Sequence, residues 1–411
     1  MLLKLLIEHR FIRTPDGQVW TQVALPYSAW QPYLAVFDGL DVVARIEDVA
    51  SVSADMKLSS GPGVSFTAIP YFVGPRQFLL KSGEVRRAVQ QTLGGNSAVL
   101  LRVPGTLGTV AYRILKASGQ PYAAQIVGDP HEVFAPGAVR HPLRPFFRWW
   151  FTRQLKTQAR DAAAISYVTR AALQERYPSG AKFSNSFSNV QLPESAFVDQ
   201  PGTDWDGLGT SQRPCRLVLV GSLAQLYKSP DVTLRAVALC ASQGLHLHLT
   251  VVGDGKHRAE LETLARELGV QDRVTFAGQL SSGDAVRAEL DRADLFVLPS
   301  RTEGLPRAMI EAMARGMPCI GSTVGGIPEL LPAEDMVPPG DAPALARKLQ
   351  EVVTSPPRLR EMSRRNLETA RSYADSVLNQ QRQAFYEHLR TETARWQAKQ
   401  SLKYRKAQAK S

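Results

Sequence analysis

The chain has 411 residues, 44% of them hydrophobic and 21% charged. That is the composition of a soluble globular protein, and the length excludes a single ordinary core in favour of two domains of about 150–200 residues. No apolar run reaches the ~20 residues of a membrane-spanning helix, and three scattered cysteines, Cys215, Cys240 and Cys319, give no metal framework and fit a reduced, cytoplasmic compartment.

The net charge of +11 is unevenly placed. Residues 1–200 hold 21 Lys/Arg against 14 Asp/Glu, residues 379–411 hold 8 against 2, and the remainder is slightly acidic. An acidic partner is one implication: nucleic acid, anionic lipid or a phosphorylated substrate. A solubilising surface is the other.

In chain order, "MLLKLLIEHRF" reads as a first strand and not as a secretory signal, because no small-residue cleavage site follows. The loop "EHRFIRTPDGQVW" after it carries one glycine, Gly17. Residues 40–46, 98–104, 123–129 and 163–169 are further short apolar runs of strand character, and Ser51 to Pro75, rich in Gly, Pro and Ser, reads as an irregular insertion. Residues 1–190 thus form a first α/β domain. Within it, residues 139–160 hold six Lys/Arg, no acid, and five aromatics between Phe146 and Phe151. Basic residues interleaved with Trp and Phe suit an anionic membrane surface, with Arg148, Trp149, Trp150 and Arg153 as the contact set. The alternative is a helix whose aromatics are core. No nucleic-acid-binding motif accompanies the charge.

Residues 191–214, dominated by Gly, Pro, Asp and Ser, read as an interdomain linker. The "DWD" inside it (204–206) could be mistaken for a metal-binding Asp-x-Asp, but it follows no strand, and with no other ligand cluster the chemistry is expected to be metal-independent. From 215 to 375 the pattern is regular. Strands at 216–222, 247–253, 274–278, 295–300 and 318–322 alternate with helices from Asp231 to Gln243, His257 to Leu268, Gly283 to Arg292 and Pro306 to Arg315. Such alternation means βαβ units and a parallel sheet covered on both faces. Residues 376–411 form a long helix with a basic tail.

The densest chemistry lies in "PSRTEGLPRAMIEAMARGMPCI", Pro299 to Ile320. Glu303 falls in the loop at a strand's carboxyl end, where ligands of open α/β sheets bind. Pro306 opens a helix, and Glu311 lies about a turn and a half inside it. The free amides around Leu305, Arg307 and Ala308 make an anion site. A phosphate site beside two carboxylates, which accept hydrogen bonds from paired hydroxyls, suggests a nucleotide sugar; two surface glutamates in a helix–loop unit are the alternative that spacing alone leaves open. Lys228, in "VGSLAQLYKSPDV", stands between a strand and a helix where it can neutralise a departing diphosphate.

This stretch, with "TVGGIPELL" after it and "VVGDG" and "VTFAGQL" before it, resembles the retaining glycosyltransferases of family four. The resemblance covers residues 215–375. It implies the GT-B fold, two facing Rossmann-like doubly wound domains with a C-terminal crossover helix. It also implies a hexosyltransferase using a UDP- or GDP-sugar without a cofactor. By resemblance, Glu303 contacts the sugar hydroxyls, Glu311 the ribose, Gly304 to Arg307 (with Leu305 and Pro306) the sugar and diphosphate, and Gly278, Gln279 and Leu280 the base. The family's Arg beside the diphosphate is Ser222 here, so Arg307 or Lys256 would have to compensate. In the first domain, Gly17 would approach the donor, Asp129 and His131 would stand near the anomeric carbon, and residues 102–108 would line the cleft. A structural histidine or a helix-capping aspartate is the competing reading. The charge and aromatics of the first domain suggest an acceptor on a membrane, a polyprenyl-linked glycan of cell-surface polysaccharide assembly met at the inner face of the plasma membrane; no nucleic acid is involved. A sugar-nucleotide epimerase or hydrolase and a non-catalytic binding protein are the rival readings.

Overall fold

The computed structural model describes residues 1–22, 25–54, 56–93, 95–135, 141–202, 204–281 and 283–408, apart from the side chains of Tyr404 and Ala407. Residues 139–140 of the aromatic, basic segment, position 55 of the insertion, position 203 of the linker and the last three tail residues lie outside that set.

The first half is one mixed sheet of β1 (Leu2–Arg13), β2 (Val19–Thr21), β3 (Gly39–Asp48), β4 (Lys57–Leu58), β5 (Val64–Ile69), β6 (Ala98–Val103), β7 (Ala123–Ile126), β8 (Ala164–Tyr167) and β9 (Phe183–Ser186). Its parallel part runs β5-β3-β1-β6-β7-β8-β9, while β2 and β4 add an antiparallel edge to the far end of β1. The helices are α1 (Gln31–Leu34), α2 (Gly74–Thr92), α3 (Thr106–Ser118), α4 (Pro130–Val133), α5 (Arg144–Asp161) and α6 (Ala172–Arg176). Strands β6, β7 and β8 are short, almost wholly buried runs, because helices cover both faces of a parallel sheet.

The second sheet is parallel throughout, in the order β12-β11-β10-β13-β14-β15. Its strands are β10 (Cys215–Val220), β11 (Leu247–Val252), β12 (Val274–Gly278), β13 (Leu295–Leu298), β14 (Cys319–Ser322) and β15 (Met336–Val337). Around it lie α7 (Pro230–Ser242), α8 (Arg258–Glu267), α9 (Asp284–Asp291), α10 (Arg307–Ala314), α11 (Ala342–Val353) and α12 (Pro356–Arg371). The last helix, α13 (Asp375–Gln408), returns to the first domain. Its Tyr386 stacks on Tyr33 at 4.7 Å, and its Arg382 donates to the carbonyls of Ser188 and Val190 at 2.9 and 3.1 Å.

Two sequence expectations need correcting. The stretch from Ser51 to Pro75 is not wholly irregular: Val64–Ile69 is the edge strand β5, paired in register with β3. Its Ser-Phe-Thr-Ala alternation was masked by the Gly and Pro on either side. Residues 191–214 are not a free linker either. Trp205 and Leu208 are buried in the second core, and the amide of Gly202 donates to Ser363 Oγ at 2.9 Å. Asp204 and Asp206 pair with Arg213 and Arg360 on that surface.

Candidate functional site

The carboxyl ends of β10 and β13 bring two loops together. The β10 loop crosses Gly221 and Ser222 and reaches Lys228, whose ammonium pairs with the Glu303 carboxylate in the β13 loop. Ser300 Oγ donates to the same carboxylate oxygen at 2.6 Å, and Ser322 Oγ donates to the Ser300 carbonyl at 2.6 Å. Glu303 is buried, at 8% exposure. The burial is tolerated because the carboxylate has both a cation and a hydroxyl.

Sequence reasoning passed over the group that clamps these loops. Arg301 donates to the carbonyl of Leu226 (2.9 Å) and to Ser229 Oγ (3.0 Å), and forms a two-pronged pair with Asp231 at 2.9 and 2.8 Å. Burial alone would push the Asp231 carboxyl up; the hydrogen bonds and charge of Arg301 outweigh it and hold the carboxyl below its usual range. Ser229 has φ +58°, a left-handed turn that the clamp holds while aiming Lys228 at Glu303. A bidentate Arg-Asp pair 70 residues apart leaves no periodic or spacing signal.

Two glycine contacts are obligatory. A Cβ at Gly253 (φ +140°) would lie 2.0 Å from the Gly221 carbonyl oxygen, and one at Gly325 (φ +55°) 2.1 Å from that of Glu303. The loops stack backbone on backbone, which only glycine permits.

Pro306 is the N-cap of α10, not its first helical residue, so Arg307 is N1 and Glu311 lies about one turn in. The N–H groups of Leu305, Arg307 and Ala308 meet no acceptor among the described residues. Poor solvation raises the Glu311 carboxyl above its ordinary range, against the pull of Arg307 and Arg287. Ser222 Oγ accepts from the amide of Ala224 at 3.2 Å, so it stabilises its own turn. Arg307 is exposed beside Glu311, and Lys256 is exposed on the next loop. Gly278 closes β12 at φ +75° with its carbonyl accepting from Gly253, while Gln279 is exposed and Leu280 half-buried.

The first domain meets this site directly. A Cβ on Gly304 would stand 3.4 Å from the Val127 carbonyl oxygen and 4.0 Å from Gly128 Cα, so the loops after β7 and β13 face one another. The Glu329 carboxylate, after the Gly325-Gly326 turn, crosses the boundary and accepts from the amides of Arg170 (2.5 Å), Ala171 (3.0 Å) and Ala172 (3.0 Å) at the start of α6. Cleft-side cations are crowded. Burial, with Arg102, Arg10 and Arg45 adding to it, lowers His9 to about 4. Burial also lowers Arg102, and Arg307 and Arg382 repel it further.

Not every first-domain residue reaches the cleft. β1 runs on to Arg13 where the sequence suggested a loop, and Gly17 (φ +82°) forms the tip of the β1-β2 hairpin, beside Ser60, Gly61 and Val64 at the amino end of β5. No second-domain residue lines the hollow beside Gly17 among the described residues. Asp129 is a helix cap. Its carboxylate accepts from the His131 amide at 2.9 Å and from Tyr177 Oη at 2.5 Å, and pairs with Arg176. Near residues 102–108, the α3 amide of Leu107 donates to Glu8 Oε1 at 2.5 Å.

The α5 surface divides in two. Phe147 and Phe151 pack on Phe134 at 5.8 and 5.7 Å, while Phe146 and Trp149 are exposed at 51% and 55%. Trp150, half-buried, stacks on Phe146, and the Arg153 guanidinium lies 6.0 Å from the Trp149 ring. Arg148 departs from the expected surface set. It turns inward, its Nε donating to the His131 carbonyl at 2.8 Å.

Two facing Rossmann-like domains, with the site at the carboxyl ends of both sheets and a crossover helix returning to the first, define the GT-B fold. Anabaena HepE in complex with UDP-glucose shares it, with TM-score 0.64 and 15% identity over 93% of this chain and 98% of that one. Residues 214–355 match the family described as glycosyl transferases group 1. Protein CapJ of Staphylococcus aureus is 26% identical over 86% of this chain and 87% of its own length. The amylovoran biosynthesis glycosyltransferase AmsK of Erwinia amylovora is 35% identical over 33% of this chain, which spans only 35% of AmsK. Among the described residues no helix is long and apolar enough to cross a membrane.

Proposed function

We propose that the chain is a retaining hexosyltransferase that moves a sugar from a nucleoside diphosphate donor to a glycan acceptor, polyprenyl-linked, in the assembly of a bacterial cell-surface polysaccharide. The observation that carries the reading is the Lys228–Glu303 pair, set beside the open amides of α10 and facing the first domain across Gly304. A cation and a carboxylate in contact can divide between the two ends of a nucleotide sugar. Lys228 swings to the diphosphate, and Glu303, released from it, accepts from the sugar hydroxyls.

The amides of Leu305, Arg307 and Ala308, with the Arg307 side chain, add donors for the phosphate oxygens, in place of the missing cation at Ser222. Glu311, whose carboxylate meets no hydrogen-bond donor among the described residues, accepts from the ribose, and the base lies along Gly278 to Leu280. The leaving diphosphate takes the acceptor proton as the new glycosidic bond forms on the same face, so configuration is retained without a separate base or a metal. The UDP-glucose held by HepE and the amylovoran biosynthesis in the AmsK name support this reading. The basic first domain and the exposed Phe146 and Trp149 support an acceptor met at an anionic membrane, on the cytoplasmic side.

Thermal-shift screening against UDP- and GDP-sugars tests the donor, since a ligand that binds only the native state raises the melting temperature. The matching sugar is expected to be turned over with a lipid-linked glycan. Lys228→Ala is expected to lower kcat by about 10²–10³-fold, the usual effect of losing one stabilising group on a developing anion. Sugar release at equal rates with and without acceptor would make the protein a hydrolase instead.

A further inference from the structure

We propose that Arg148 is a positioning residue. It fixes the tautomer and direction of the His131 ring and joins the outer aromatic face of α5 to the cleft. The inference rests on the reading of His131 as a group that faces the donor.

His131 sits in α4, a single turn of four residues that cannot hold itself together. Neighbours hold it from both ends. Asp129 caps the start, and Arg176 bridges Asp129 and Glu132. At the far end two arginines one turn apart on α5 reach the last carbonyls: Arg144 Nη1 donates to Phe134 O at 3.0 Å, and Arg148 Nε donates to His131 O at 2.8 Å. The same guanidinium places Nη2 at 3.1 Å from His131 Nδ1.

A guanidinium has donors only. Nδ1 must therefore offer its lone pair, and the ring proton resides on Nε2. Glu132 Oε1, 3.3 Å from the same Nδ1, would ask for the opposite tautomer, but that oxygen is already paired with Arg176 at 2.7 Å. Nε2 has no partner among the described residues, and the side chain is 35% exposed. His131 thus presents an N–H donor beside the loop that meets Gly304. Such a group suits a hydroxyl or phosphate oxygen of the nucleotide sugar and cannot take a proton from the acceptor through Nε2. The next residue on α5, Trp149, is exposed, so a surface that grips Trp149 and Phe146 also grips the helix that aims His131.

The test uses full-length protein labelled with ¹⁵N-histidine. The sequence has seven histidines, and a His131→Gln variant assigns the signal. Wild type is expected to show His131 protonated at Nε2. Arg148→Ala is expected to show mixed tautomers and to lower kcat about tenfold, less than the ~10²-fold that a 1 Å misplacement can cost, with the donor KM changed little. Arg148→Lys, which keeps the charge but cannot serve both atoms, is expected to fall between and guards against a folding failure. A wild-type ring protonated at Nδ1, or an Arg148→Ala protein with the wild-type tautomer and kcat, overturns the proposal. A His131→Gln enzyme as active as wild type would instead remove His131 from the reaction, while the tautomer spectra still decide what Arg148 does.

Discussion

Glu311 shows how a binding group is held at some expense to the fold. Its folded-state pKa lies above its unfolded one, so its contribution favours the folded protein below the ordinary carboxylate range and is lost as pH rises through the raised value. The ionised form of Glu311 is thus poorly solvated in the free protein, and the donor's hydroxyls would satisfy it. Glu311→Gln is expected to raise the melting temperature of the free protein at pH 7 while weakening donor affinity about tenfold, and to flatten the loss of affinity on acidification. Calorimetric titration between pH 5 and 8 checks this; an unchanged affinity would remove Glu311 from the site.

At the scale of elements, α5 carries two jobs on two faces. Phe147, Phe151, Arg144 and Arg148 belong to the interior, and Phe146, Trp149 and Arg153 to the surface. The membrane reading is therefore tested without Arg148. Replacing Phe146 and Trp149 by Ser and Arg153 by Glu is expected to abolish co-sedimentation with anionic vesicles, each lost cation alone weakening binding by about 1 kcal/mol, while donor binding stays intact. Sedimentation equal to wild type would sink the idea. This division was not legible in the sequence, because residues 139–160 show basic and aromatic types but not which α4 carbonyls lie opposite. What was legible were the elements of residues 215–375, where strand and helix periods alternate cleanly, and the Glu303 and Lys228 loops, where Gly and Pro punctuate each turn. Gly17 stands at a hairpin tip, where the sequence read a plain loop, for a physical reason. β1 crosses a register shift between Leu6 and Arg10 and continues as a hairpin arm, and a bulge of that kind has no composition signal.

At the scale of the whole molecule, Glu329 is a charged link across the cleft, beside the weaker one that Arg170 Nη2 makes to Ser372 Oγ at 2.9 Å. One carboxylate satisfies three amides of the other domain, at the start of α6, whose only local side-chain acceptor among the described residues is Thr169 Oγ1 on the Leu173 amide at 3.1 Å. Hydrogen bonds to a charged group contribute about 1.5–3 kcal/mol, so Glu329→Ala is expected to shift the open-to-closed ratio tenfold or more. Small-angle scattering should then give a larger radius of gyration for the free variant, partly restored by donor. Identical scattering for variant and wild type would show that Glu329 does not hold the domains together.

The return of α13 also sets an order of events in the cell. Phe385, Tyr386 and Leu389 are wholly or almost wholly buried against the first domain's core, yet they are made some 200 residues or more after the strands that α13 covers, β6, β8 and β9. Domains commonly fold as they leave the ribosome, but here the nascent first domain must wait with an apolar face uncovered until the second has been synthesised. The protein-synthesis machinery therefore releases both domains into their final form almost together, and a chaperone has its longest opportunity on the half of the molecule that is made first.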